Sequence, residues 1–492
     1  MRLRLFSSLF LVGVFSIALQ AQNTVGLISY NINKAYDGYN LLYPHNQPNV
    51  YLINNCGEIV HTWEGDADTR PGNTAYLLED GRLVKTSRPA NVTSDRIWAG
   101  GGGATVEIRS WDNELEWSFT LNDSTDRLHH DITLINKNNR FTIAMIAWEL
   151  NTLEECIAAG RDTSVLERDE LWPDYILEVD PATDEVVWEW HAWDHLVQDF
   201  DASKENFGSI SENPGKIDIN HDFRGDGDPD WMHSNSLDYD PRWDYLLLSV
   251  PYFSEIWIID HTTSTEQAAS DSGGFSGRGG DLMYRWGNPQ IYNQGDSSDQ
   301  QLFFQHDANF IDDFVEGFDP NFGRIAVFNN RIGEDFSAVN IIDSQFDMYT
   351  WEFPFDGNVF GPEAPLVTET HPESPQRLFS TGLSGFQYLP NGNYLITSGR
   401  TGYSFEMTPD NEIVWEYVTP LRSGAAVEQG TVLETNNNLT FRVNRFPADY
   451  GAFEGRDLSP KGWIELNPDM TYCDELVPTA ELIEYQLEVY PN

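Results

Sequence analysis

The sequence predicts an all-β chain closed into a six-bladed β-propeller with a central channel. Three observations carry that expectation. Apolar and polar residues alternate with period two in segment after segment, and helical periodicity is almost absent. A strand pair joined by a polar turn and ending in tryptophan, an acidic or small residue and an aromatic recurs six times. Between the copies lies a second kind of hairpin with an Asn, Gly or Asp turn. Units of about four strands, each burying its faces against its neighbours, are what a propeller needs. A pair of β-sandwiches is the alternative arrangement of the same strands.

Taken in order, the chain opens with "MRLRLFSSLFLVGVFSIALQAQ": two arginines, an apolar run from Leu5 to Leu19, and small residues near Ala21. Residues 1–21 read as a secretory signal peptide, so the mature protein is expected to be secreted, periplasmic or at the cell surface. No later segment is long and apolar enough for a membrane span. Residues 22–470 are assigned to the propeller. The tryptophan units are "VYLINNCGEIVHTWEG" (Val50 to Gly65), "TVEIRSWDNELEWSF" (Thr105 to Phe119), "YILEVDPATDEVVWEW" (Tyr175 to Trp190) and "YSFEMTPDNEIVWEY" (Tyr403 to Tyr417). Two looser copies pair "IWIIDHTT" with "LMYRWGNP", across the Gly/Ser-rich stretch Ser270 to Gly280, and span "VNIIDSQFDMYTWEF" (Val339 to Phe353). The inner hairpins include "AYLLEDGRLVKTS", "FQYLPNGNYLITSG" and "TVLETNNNLTFRV", the last expected to supply the sixth. Beyond Arg445 the signature fades, with "GWIELNPDM" left to complete a blade. Residues 471–492 read as a linker and the start of a C-terminal sorting domain.

Composition narrows the function. The chain has 492 residues, 78 acidic against 29 basic, for a formal charge of −49. Nucleic acid and anionic lipid are therefore poor partners, since both are bound by neutralising phosphates with Lys and Arg. Sixteen Trp, 21 Tyr and 28 Phe supply core enough to exclude global disorder. The three cysteines, Cys56, Cys156 and Cys473, allow one disulfide at most and lack metal or redox spacing.

The candidate chemistry lies in a repeated dipeptide. His-Asp occurs at "HHDITLI" and "LFFQHDANFI", with a variant at "WMHSNSLDY". Aligning the inner hairpins places Asn73, His130, His233, His306, Ser384 and Glu428 at equivalent strand entrances, so three imidazoles are expected to meet at the channel. Strand alternation would turn the following Asp131 and Asp307 away from it. Three neutral imidazoles suit either an open metal site or anion chemistry, in which imidazole serves as nucleophile and proton carrier. No metal and no cofactor are expected. Asp226, Asp228 and Asp230 in "RGDGDPDW" alternate as in a calcium loop but lack its downstream glutamate. "SDSGGFSGRGG" lacks phosphate-binding spacing and reads as a loop within a blade.

"QHDANF", "DWMHSNSLDYDPRWDYLLLSVPYFSEIWIIDHTT", "GGDLMYRWGNP" and "LPNGNYLITSGRTGYSFEMTPDNEIVWEY" resemble the bacterial arylsulfate sulfotransferases, secreted or periplasmic six-bladed propellers, from about Asn40 to Pro420. The resemblance implies sulfuryl transfer from an aryl sulfate to a phenol through a sulfohistidine, without a nucleotide donor. It puts the nucleophile on His306, an oxyanion or proton partner on His233, and the remaining channel histidine on His130. Asn235, of the His-x-Asn-Ser motif, is a substrate-binding candidate. One departure stands out: where the family carries a sulfate-binding arginine, this chain has Pro251. Arg331 and Arg400, at comparable strand ends of the next two blades, are the candidate replacements. Without either, a non-catalytic binding scaffold is the alternative function, and a metal-dependent enzyme on the same histidines a weaker one. The closing "LIEYQLEVYPN" is similar to the start of a type IX sorting domain, so secretion machinery is a further possible partner.

Overall fold

A computed structural model describes residues 23–92, 95–312, 314–315, 317–470 and residue 473. The segment read as a signal peptide, and the C-terminal one apart from Cys473, lie outside the described residues. The strands form six antiparallel sheets, the blades, and their innermost strands touch one another in an unbroken circle. Blade 2 is built from Thr69–Leu77, Leu83–Pro89, Thr105–Arg109 and Leu115–Thr120, and blade 3 from Asp126–Lys137, Arg140–Glu149, Asp174–Asp180 and Glu185–His191. Blade 4 runs Ser236–Asp240, Tyr245–Val250, Glu255–Asp260 and Tyr284–Trp286. Blade 5 runs His306–Phe310, Ile325–Asn329, Ala338–Ile342 and Val367–Glu369.

The two ends of the chain close the ring. Blade 1 has Gly38–Pro44, Val50–Asn54 and Ile59–Trp63, but its innermost strand is Thr440–Pro447, which pairs antiparallel with Gly38–Pro44. Blade 6 has Gly385–Tyr388, Tyr394–Ser398, Tyr403–Met407 and Ile413–Val418, and gains Gly26–Tyr30 as a fifth, outermost strand. A disulfide between Cys56 and Cys473 fastens the tail to the outer turn of blade 1, while Cys156 is free and buried. Three expectations are corrected. "TVLETNNNLTFRV" is no hairpin, because only its end, from Thr440, is strand and the partner of that strand comes from the other end of the chain. "GWIELNPDM" adds no blade strand; Trp463 bridges Glu58 and Ile464 packs into the seam of blades 6 and 1. The fourth strand of blade 5 is Val367–Glu369, not the stretch ending at Phe353, whose rings pack with Trp243 and Tyr245 of blade 4 instead.

The core divides into layers between blades. The six largest apolar clusters each join one pair of neighbours, as when Ile146 and Trp190 of blade 3 meet Leu248 and Trp257 of blade 4. This arrangement gives the tryptophan signature a cause. The indole N–H of Trp63 donates to the carbonyl of Ser110 in blade 2 (3.1 Å), that of Trp117 to Asp184 in blade 3 (2.7 Å) and that of Trp190 to Gly280 in blade 4 (2.7 Å). Trp286 likewise donates to Pro362 of blade 5 (2.7 Å), and Trp415 to Asn55 of blade 1 (2.8 Å). Each ring fills the gap to the next blade and its one polar atom is satisfied there. The Gly/Ser-rich stretch lies within blade 4, between its third and fourth strands. Among the described residues no helix is long and apolar enough to cross a membrane.

Candidate active site

The channel histidines are aimed by kinks in the strands that bear them. The backbone is left-handed at Asn73 (φ +123°), His130 (+47°), His233 (+57°) and Ser384 (+93°), and in blade 5 one residue later, at Asp307 (+56°). The ladder register shifts between Pro71 and Ala75, and between His306 and Asn309. Such a bulge breaks the period-two alternation, so consecutive side chains no longer point to opposite faces. This corrects the expectation for the aspartates. Asp131 and Asp307 converge on Arg442, whose Nη2 lies 2.6 Å from Asp131 Oδ2 and whose Nη1 lies 2.9 Å from Asp307 Oδ1. Their remaining oxygens accept from Tyr76 Oη (2.6 Å) and from the backbone N–H of Phe386 in blade 6 (2.8 Å). The closing strand of blade 1 thus clamps the histidine-bearing strands of blades 3 and 5. Glu428 is also corrected: it is exposed and bridges Leu466, because the sixth inner strand is Thr440–Pro447.

The three predicted histidines come together. The rings of His130 and His233 are 4.6 Å apart, and Phe441 of the closing strand lies 6.5 Å from His130 and 6.2 Å from His306. Their protonation differs because their partners differ. His306 Nδ1 donates to Asn330 Oδ1 (2.8 Å), whose amide nitrogen is committed to the carbonyls of Ser380 and Leu383 (2.9 and 3.0 Å). That amide can only accept from the ring, so Nδ1 carries the hydrogen and Nε2 keeps its lone pair. Burial, with the nearby charges of His233 and Arg400, pushes the His306 pKa down to about 3. His233 is the opposite case: burial disfavours its charge, yet Asp230, with Oδ2 2.5 Å from Nδ1, raises its pKa above the ordinary value. His130 is held neutral by burial and by the surrounding imidazoles. Its Nδ1 lies 2.9 Å from Nδ1 of His129, which stacks on Trp148.

Several contributors escaped the sequence reading. His45, just after the first strand of blade 1, has a buried Nε2 with no hydrogen-bond partner among the described residues. Its pKa is lowered to about 4 by burial and by Arg88 and Arg400. The glycine run Gly100 to Gly103 lies against the histidines; a Cβ on Gly101 would sit 1.9 Å from His130 Nε2, and the Gly101 carbonyl accepts from Asn73 Nδ2 (2.8 Å). Only glycine permits that approach. Four glycines in a row were the available signal, and Asn330 and Asp230 had none.

The remaining candidates are placed as follows. Arg400 donates through Nη1 to Asn436 Oδ1 (3.2 Å), and its buried Nε has no partner among the described residues. Arg331 donates to the Thr381 carbonyl and stacks on Phe304, 3.8 Å from its ring centre. Asn235 is fully buried and donates to the Gln305 carbonyl (2.8 Å), so it braces the residue before His306. Pro251 ends the strand Tyr245–Val250, and the next residue, Tyr252, stacks on His233 with ring centres 4.7 Å apart. In the acidic loop, Asp226 and Asp228 pair with Arg224 at 2.9 Å, and Asp230 is committed to His233. Among the described residues, no group of three His, Cys, Asp or Glu side chains has the geometry to hold a metal.

A six-bladed propeller with histidines from three blades, and arginines beside them, at one channel mouth is a scaffold whose site exists only once the ring has closed. The chain belongs to the arylsulfotransferase (ASST) family, whose sequence profile matches residues 45–442. No curated protein matches it. Among solved structures it is similar to a protein of unknown function from Bacteroides caccae, at 9% identity over 83% of this chain and 99% of that one, TM-score 0.40. It is also similar to a periplasmic gluconolactonase of Pseudomonas aeruginosa, at 10% identity over 83% and 98%, TM-score 0.38. Virginiamycin B lyase of Staphylococcus aureus matches at 10% identity over 82% and 90%, TM-score 0.33.

Proposed function

We propose that the protein is an aryl sulfotransferase that moves a sulfuryl group from an aryl sulfate to a phenol through a sulfohistidine on His306. The His306 Nε2 lone pair forms the N–S bond as the S–O bond to the aryl group breaks, and the departing phenolate takes a proton from His233. An acceptor phenol then attacks the same sulfur, the N–S bond breaks, and the phenolic proton returns to His233. Splitting the transfer in two lets one site serve both phenols in turn. Proton donation to the leaving group is worth about 10²–10⁴-fold. Arg400, whose charge also reaches His45 and His306, supplies positive charge for the sulfuryl oxygens in place of the absent arginine.

The observation that carries this reading is the pairing of opposites: His306 held neutral with its lone pair on Nε2, and beside it His233 held ready to carry a proton. The export expectation belongs to the same proposal and gains support from the Cys56–Cys473 disulfide, since such bonds persist in oxidising compartments. Pro251 favours one other reading, a secreted propeller that binds without turnover. A chromogenic aryl sulfate with and without a phenol separates the two. Acceptor-dependent phenol release, lost in His306→Ala, together with a sulfuryl mass adduct on His306 after brief donor exposure, is expected. Absence of turnover and of adduct leaves the binding scaffold.

A further inference from the structure

Beside His233 the channel mouth carries an aromatic cluster that the ring closure does not require. Tyr252 stacks on His233, and Phe304 meets Tyr252 at 5.6 Å and Phe223 at 4.7 Å between ring centres. Phe223 is 44% exposed, far from the burial such a ring reaches in a core. Phe304 is held at φ +59°, a conformation that costs a bulky residue on the order of 1–3 kcal/mol and that gathers at binding sites. Arg331 lies over this ring, 3.8 Å from its centre, with Nε and Nη2 on the Thr381 carbonyl and Nη1 donating no hydrogen bond among the described residues.

Charge bears on the same place. Most arginines among the described residues lie within 4.0 Å of a carboxylate, whereas Arg70, Arg88, Arg168, Arg278, Arg422 and Arg456 do not. Arg224, the residue after Phe223, has two carboxylates. Arg331 and Arg400 also have none within 4.0 Å among the described residues, and the positive charge of Arg400 acts on Arg331. Two neighbouring cations without counter-ions are a site for more than one negative group.

We propose that this mouth selects aryl substrates bearing a second anionic group, a carboxylate or a further sulfate, remote from the reacting oxygen. The aryl ring lies on Tyr252 and Phe304, the reacting oxygen faces His233 and His306, and the second anion meets the free edge of the Arg331 guanidinium. The inference rests on the sulfotransfer reading and adds its substrate class. A matched pair of acceptors tests it: 3-(4-hydroxyphenyl)propionate and its carboxamide, which differ in charge and hardly in phenol acidity, with one chromogenic aryl sulfate as donor. The carboxylate is expected to exceed the amide at least tenfold in kcat/KM. That ratio should fall towards one in Arg331→Gln and be partly kept in Arg331→Lys. Equal use of the two acceptors by the unaltered protein, or a preference that survives Arg331→Gln, overturns the inference and leaves sulfotransfer standing. Failure to sulfate either acceptor overturns both.

Discussion

At the residue scale, His306 and His233 share a side chain and differ in what faces Nδ1: a neutral amide oxygen for one, a carboxylate for the other. The amide fixes a tautomer without favouring charge, whereas the carboxylate stabilises the imidazolium. The pH dependence follows with a definite sign. His306 stays unprotonated down to about pH 3, so the acid limb of kcat/KM lies far below neutrality. On the alkaline side, activity falls as His233 loses its proton, above the ordinary histidine value because Asp230 has raised it. Asp230→Asn removes that charge, so the alkaline limb should move to lower pH while the acid limb stays in place. A pH profile of kcat/KM for both proteins checks this; an unmoved alkaline limb would mean that His233 is not the proton donor. The three histidines were legible in the sequence because they recur in register with a strand pattern. Asn330 and Asp230 were not, since their roles arise from contacts between segments that no period connects.

At the element scale, a bulge decides what the inner strands can present. The alternation rule placed His130 and His306 correctly and misplaced their neighbours, because a left-handed residue at the kink lets histidine and aspartate share the channel side. The aspartates tie three blades together through Arg442, which is nine-tenths buried and contributed by the last inner strand of the chain. A buried ion pair gives little net stability over an apolar replacement, but removing one partner strands the other charge. Arg442→Met should therefore cost about 3–5 kcal/mol in denaturant unfolding. Adding Asp131→Asn and Asp307→Asn should recover most of the loss. An unfolding midpoint unchanged in Arg442→Met would show that the clamp does not hold the blades. Five of the six tryptophan units were legible because the indole that defines them also bonds the next blade. The sixth misled, since Trp351 and Phe353 keep the aromatic spelling while packing outside their own sheet.

At the scale of the whole molecule, ring closure and net charge set the terms on which the site works. Closure was legible as a number of blades but not as a pairing: Thr440–Pro447 and Gly38–Pro44 lie nearly a chain length apart, and periodicity counts strands without naming partners. The charge was legible at once, and its consequence is a conflict. A field from −49 formal charges repels an anionic substrate at long range, while Arg331, Arg400 and the protonated His233 attract it over a few ångströms. Salt weakens the two unequally: the Debye length is about 10 Å at 0.1 M, so the distant field is screened while contacts inside the partly buried channel persist. Raising ionic strength from a few millimolar to about 0.1 M should accordingly lower KM for the anionic donor and leave KM for an uncharged phenol acceptor unchanged. Initial-rate measurements with each substrate varied in turn would show it. A donor KM that rises steadily with salt would mean that exposed cations at the mouth, and not the acidic body of the propeller, govern how the substrate arrives.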